Sequence, residues 1–178
     1  KFLGVLQESS YRLWKMVDAL LLLAKIPEET DNSVACPPGP VIGHVLQDQS
    51  HDINENNARV RVDRLPAIYM SEQHVYQLFS NLISNAIRYR RPDQTPQIYI
   101  GYDVKKAAYF VKDNGIGIPQ RFQPEIFKIF ARFGKHPHST GIGLAHVKKI
   151  VDEAGGTIWV RSRLRNGSTF FFTLPAEP

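Results

Sequence analysis

The stretch "SEQHVYQLFSNLISNAIRYRRP", residues 71–92, constrains this chain more than any other. Ser71 is placed to cap a helix over residues 72–90, and Pro92 stops it, because the residue ahead of a proline is pushed out of helical geometry. The helix is oily, so one side must be buried. Yet it carries Asn81 and Asn85, four residues apart and therefore on one face. Asparagine is a poor helix former, since its amide competes for backbone hydrogen bonds. A pair on one face points either to a neighbouring loop that they hydrogen-bond or to a ligand that needs carboxamides.

The pattern around that helix is mixed. Residues 2–26 read as an amphipathic helix through Phe2, Leu6, Leu13, Val17, Leu20, Leu21 and Ala24, stopped by Pro27. Residues 27–40, "PEETDNSVACPPGP", read as a linker. A second amphipathic helix follows through Val41, Val45, Leu46 and Ile53, then a strand segment broken at Pro66. Residues 97–113 read as two strands around the Lys105-Lys106 turn. The spacing of Ile126, Phe127, Phe130 and Phe133 predicts a short helix over 124–133, and a further helix is expected over 141–154. Residues 156–175 form a hairpin with Asn166-Gly167 near its turn. The sum is an α+β domain, a mostly antiparallel sheet covered by helices on one face.

Composition narrows the setting. Cys36 is the single cysteine of 178 residues, which excludes an intrachain disulfide and fits a reducing, cytoplasmic location. The longest oily run, "MVDALLLLAKI", is too short to cross a bilayer and contains Asp18 and Lys25. The start of the chain lacks the features of a signal peptide. The net charge of +5 suits phosphates or anionic surfaces, but no long Lys/Arg block argues for nucleic acid.

Two glycine segments carry the next clue. Asp113 ends a strand and is followed by Gly115 and Gly117, which permit positive φ and close approach of a ligand. An aspartate there can accept a hydrogen bond from an exocyclic amine. Gly141 and Gly143 open a helix whose free N–H groups suit phosphate. Either loop alone is equally what a structural turn looks like. The amide oxygen of Asn85 is a hard neutral ligand suited to Mg²⁺, Arg88 one turn on can reach phosphate, and Tyr89 can lie against a purine.

Taken in order, "NLISNA", "DNGIGIP", "IFKIF" and "TGIGLA" resemble the asparagine box, first glycine box, phenylalanine box and second glycine box of the sensor histidine kinases, within the wider group that includes gyrase and HSP90-type ATPases. The resemblance covers about residues 40–178, and residues 1–26 resemble the second helix of that family's dimerisation hairpin. It implies a two-layer α/β sandwich, the Bergerat-type ATP-binding fold, with an N-terminal dimerisation helix. The expected division is a partial hairpin over 1–26, a linker over 27–40 and the ATP-binding catalytic domain over 41–178.

ATP and Mg²⁺ are the implied ligands. Asp113 would bind the adenine amino group, Asn85 would hold Mg²⁺, and Asn81 would support the phosphate end. Gly115, Gly117, Ile118, Thr140, Gly141, Ile142, Gly143 and Leu144 would shape the pocket, with Arg88 and Tyr89 flanking the nucleotide. Residues 131–139 would be a basic lid through Arg132, Lys135, His136 and His138, with Phe127 and Phe130 anchoring it in the core. The ATP-hydrolysing relatives carry a water-activating glutamate one turn before the metal asparagine. Asn81 stands there instead, and it is a poor general base.

The implied chemistry is therefore transfer of the γ-phosphoryl group to a histidine, followed by relay to an aspartate on a response regulator receiver domain, in a homodimer built on the hairpin. A nucleotide-binding pseudokinase scaffold and a Bergerat-fold ATPase are the alternatives. His51-Asp52 begins like the acceptor motif but lacks its proline and follows the hairpin helix, so the acceptor is expected upstream of residue 1. Ser139 stands where the family often has glycine.

Overall fold

The computed structural model describes residues 35–131 and 141–175. The expected N-terminal helix, most of the linker and most of the lid lie outside the described residues. The elements are β1 (Ala35–Cys36), α1 (Pro38–Asp48), α2 (Ser50–Glu55), β2 (Arg59–Val62), β3 (Ile68–Tyr69), α3 (Glu72–Arg88), β4 (Gln97–Asp103), β5 (Ala108–Asp113), α4 (Gly143–Glu153), β6 (Thr157–Ser162) and β7 (Ser168–Thr173). A single 3₁₀ turn spans Gln120–Phe122.

Helix α3 forms as its sequence predicts. The Ser71 hydroxyl accepts the His74 N–H at 3.3 Å, which satisfies one of the free donors of the first turn. Its buried stripe, Val75, Leu78, Phe79, Leu82, Ile83, Ala86 and Ile87, lies against a five-stranded sheet of order β2-β4-β5-β7-β6. β2 runs parallel to β4, and α3 lies in the crossover that a parallel pair requires. The remaining pairs are antiparallel. Helices α1 and α4 flank α3 in the same layer.

The strand alternation sets the two faces of the sheet. Ile98, Ile100, Tyr109, Val111, Ile158, Phe170 and Phe172 point to the helices and are buried. Phe172 is 0% exposed, with Phe79 edge-on at 5.9 Å and Tyr109 stacked at 5.4 Å. Truncating such a ring costs about 3–5 kcal/mol. Asp113 and Ser168 lie at the end of this same face, so the core leads directly to them.

Four expectations need correction. The linker does not run to residue 40: Ala35–Cys36 pairs with Ile68–Tyr69 in a two-stranded ribbon, and Pro38 and Pro40 sit in the first turn of α1, where a missing N–H costs nothing. The helix over 41–57 is interrupted at Gln49, whose side-chain amide reaches across to the backbone oxygen and hydroxyl of Ser80. Residues 124–131 are not helical. Glu125, Lys128 and Ala131 each donate their N–H to a carbonyl three residues back, giving successive tight turns rather than an α-helix. Ile126 is buried and Phe127 meets Phe170 edge-on at 6.5 Å. Phe130, expected as a core anchor, has a φ of 64° and is 47% exposed.

Candidate functional site

The site begins with Asp113, which is only 9% exposed. Its Oδ1 accepts the Gly115 N–H at 2.8 Å and the Ser168 N–H at 3.2 Å. Burial pushes its pKa up to about 6, while these two amides pull it the other way. The residue lines an open cleft, where a donor from outside the chain can meet it.

The cleft lies between α3, the end of β5 and β7, and the start of α4. Asn85 and Tyr89 come from the end of α3, Ile116, Gly117 and Ile118 from the first glycine loop, and Leu144 from α4. Phe122, Glu125, Ile126 and Ala131 come from the turn segment, and Ser168 and Phe170 from β7. Apolar walls with a few convergent polar groups suit a flat heterocycle with one amine to read.

The first glycine loop is held from every side. The Tyr89 carbonyl accepts the Ile116 N–H at 2.9 Å, and a Cβ on Gly115 would stand 2.4 Å from that same oxygen. Gly117 has a φ of 70°, and its Cβ would lie 2.1 Å from the Arg163 carbonyl oxygen. Only glycine fits either place. The Ile118 N–H donates to the Ser162 hydroxyl at 2.7 Å, and the Gln123 amide bridges the Ile118 and Ser162 carbonyls at 3.0 and 2.8 Å.

The second glycine segment meets the asparagine face. Gly141 has a φ of 72°, and its carbonyl accepts the Phe130 N–H at 2.9 Å. Gly143 is the first residue of α4, and a Cβ there would stand 2.8 Å from Asn81 Oδ1 and 3.9 Å from Asn85 Nδ2. The Asn81 amide donates back to the Gln77 carbonyl at 2.8 Å. Asn81 is thus a seat for the start of α4, while Asn85 reaches the cleft. Among the described residues no side chain caps α4, and no acidic residue stands in its first turn, an arrangement suited to an anion.

The expected residues therefore divide. Asn85, Tyr89, Asp113, Gly117, Ile118 and Leu144 line the cleft. Asn81, Gly115, Gly141 and Gly143 support its walls, and Ile142 is buried behind them. Arg88 closes α3, half-buried, outside the cleft lining. Lys135 and Thr140 lie outside the described residues. Asn85 is the one carboxamide among the described residues that line the cleft, and with its neutral oxygen it fits a hard cation brought by phosphates. His51 is exposed on α2, 3.9 Å from Glu55 and away from the cleft.

Sequence reasoning missed Ile116, Phe122, Glu125, Ile126, Ser168 and Phe170 as cleft residues, while Ala131 begins the expected lid. Alternation along β7 was the available signal for Ser168 and Phe170, since both share the face of Phe172. The turn segment offered no such signal, because its pattern reads as helix.

The profile of the family described as histidine kinase-, DNA gyrase B-, and HSP90-like ATPase matches residues 70–178. The chain belongs to this family. Cyanobacterial phytochrome A of Nostoc sp. is 36% identical to it over 164 residues, covering 90% of this chain and 21% of the relative. Sensor protein kinase WalK of Staphylococcus aureus is 30% identical over 188 residues, covering 99% of this chain and 45% of the relative. The catalytic domain of histidine kinase ThkA, solved in a nucleotide-free form, superposes with a TM-score of 0.66 at 26% identity, covering 82% of this chain and 98% of that one. The chain spans less than half the length of these two curated relatives. Membership in the family implies an ATP-binding domain, and the two-layer α/β architecture expected from the motifs is the one present.

Proposed function

We propose that this chain is the ATP-binding catalytic domain of a sensor histidine kinase, positioning ATP for transfer of its γ-phosphoryl group to a histidine. The observation that carries the reading is Asp113: a buried carboxylate, oriented through Oδ1 by two backbone amides, at an apolar cleft that Asn85 also lines. Asp113 accepts the adenine amine, and Tyr89, Ile118 and Phe170 enclose the base. Asn85 ligates Mg²⁺, which supplies charge neutralisation at the phosphates when bound. The uncapped start of α4 receives the phosphate end, with Gly143 kept free of a side chain by its contact with Asn81. Thr140, Gly141 and Lys135 complete that end, and Arg88 acts through long-range charge.

Asn81 bears on the choice between transfer and hydrolysis. A carboxamide does not take a proton from water, and this one has its N–H donated to Gln77. Positioning without water activation favours transfer to a side chain. In the full protein the acceptor histidine stands on a dimerisation hairpin to which residues 1–26 contribute, the homodimer forms there, and the phosphate passes to a response regulator receiver domain. We place this domain in the cytoplasm, beside the receiver domain it serves. Among the described residues no helix is long and apolar enough to cross a membrane.

The test is to incubate the chain with γ-labelled ATP, Mg²⁺ and a histidine-bearing hairpin from a relative such as WalK. The expected result is acid-labile label on the hairpin, lost with Asn85→Ala, and little free phosphate. Rapid phosphate release without label would favour the ATPase reading. Absence of both, with no nucleotide bound, would favour the scaffold.

A further inference from the structure

The outer face of the sheet, turned away from the helices, concentrates the positive charge that the nucleotide cleft does not use. One row runs across all five strands in register, Arg61, Tyr99, Lys112, Thr169 and Arg161. Together with Arg59 and Arg163 these residues line a broad open groove. Arg59, Lys112, Arg161 and Arg163 form no ion pair among the described residues. Arg61 pairs with Asp63 and lies 4.8 Å over the Tyr99 ring. The one acidic residue of the groove lining is Asp113, whose carboxylate is buried toward the other face. Arg59, Lys112, Arg161 and Arg163 are all exposed, so their charge stands on this face without any need of the core for it.

We propose that this groove docks an extended acidic protein segment. The row spans about 19 Å at the usual strand spacing, with Arg61, Lys112 and Arg161 on alternate strands about 10 Å apart. An extended polyproline II chain presents every third side chain on one side at about 9 Å intervals, which matches that spacing. The partner is therefore a segment with a carboxylate at every third residue. Protein is favoured over single-stranded nucleic acid because Tyr99 is, among the described residues, the one aromatic ring of the groove lining, and Arg61 already lies over it. It is favoured over a bilayer because the basic residues line a trough, which a flat surface cannot enter. The inference is independent of the proposed kinase activity, although Lys112 and Thr169 stand next in sequence to Asp113 and Ser168 on the opposite face.

The experiment uses the whole chain and a fluorescein-labelled twelve-residue peptide of Glu-Pro-Ser repeats, followed by fluorescence anisotropy. The expected result is saturable, salt-weakened binding that falls about tenfold or more in Arg61→Glu/Lys112→Glu/Arg161→Glu, as loss of three charge contacts requires. An equal charge change elsewhere, Arg64→Glu/Lys105→Glu/Lys148→Glu, is expected to shift it less than about threefold, through net charge alone. Should the first variant fail to fold, Lys112→Gln/Arg161→Gln is expected to give a partial loss. Nucleotide affinity is expected to hold in every folded variant, so failure here is distinguishable from failure of the kinase reading. No binding at millimolar peptide, or equal losses in both triple variants, would overturn the proposal. So would groove-dependent capture of oligothymidylate or phosphatidylserine vesicles in place of the peptide.

Discussion

The two glycine segments look alike in sequence and differ in what surrounds them. In "DNGIGIP" the glycines face backbone: the Tyr89 carbonyl beside Gly115 and the Arg163 carbonyl beside Gly117. In "TGIGLA" Gly141 also faces backbone, that of Phe130 and Ala131, but Gly143 faces a side chain, the Asn81 carboxamide, at the open end of a helix. A backbone neighbour cannot move without carrying its strand along, whereas an amide can rotate away. The first loop is thus a rigid wall built into the fold, whereas the second, fixed by backbone at Gly141, ends at Gly143 in a seat set by two side chains. One chain has used the same residue type for architecture and for access.

That contrast can be broken experimentally, beginning with the largest effect. Gly117→Ala places a methyl on a carbonyl at positive φ, and an expected loss of about 3 kcal/mol or more should appear as a lowered thermal midpoint. Survival of the fold within about 1 kcal/mol would contradict the account of the first loop. Asp113→Asn acts oppositely on stability and on binding. Because its folded pKa is raised from 3.8 to about 6, the ionised side chain costs the fold stability that is present below about pH 4 and lost as pH rises through about 6. The asparagine variant is therefore expected to be more stable at pH 8, by up to about 3 kcal/mol, and no more stable at pH 4, as urea titrations at the two pH values would read. Adenosine affinity of the unaltered chain, which needs the ionised acceptor, is expected to fall as pH drops below about 6.

Smaller effects sharpen the comparison. Gln123→Ala releases the first loop from β6 by removing two hydrogen bonds, with an expected cost of about 1–2 kcal/mol. Gly143→Ala is expected to change stability by less than about 1 kcal/mol, since alanine favours the helix and Asn81 can turn aside. Its effect should fall on nucleotide affinity instead, and Asn81→Ala in the same chain should restore part of it, as a double-mutant cycle would measure.

Much of this was legible in the sequence because the signals were local and consistent. Ser71, the oily stripe of α3 and Pro92 fixed one helix, and period-two patterns with turn residues fixed the two hairpins. The cleft residues carried by those elements, Asn85, Tyr89 and Asp113, followed from the motifs. What was not legible depended on tertiary contact. Residues 124–131 have helical spacing, yet Ile126 and Phe127 are drawn into the core by turns, and Phe130 adopts a positive φ as its amide bonds Gly141. The β1–β3 ribbon joins residues more than thirty apart, within a proline-rich stretch that reads as linker. Asn81 was expected to support the phosphate end, and its contact with Gly143 depends on how α4 meets α3. The basic row on the outer face emerges only when five strands are set in register.

Under the proposed function, the cleft that Asn85 lines is an adenine-nucleotide site read by Asp113. The most direct measurement is calorimetric titration of this chain with a non-hydrolysable ATP analogue, with and without Mg²⁺, beside Asp113→Asn. The expected result is binding that Mg²⁺ strengthens and that the asparagine variant loses at least about 100-fold while remaining folded. A folded chain that gives no heat at millimolar analogue, or an Asp113→Asn variant that binds as well as its parent, would contradict it.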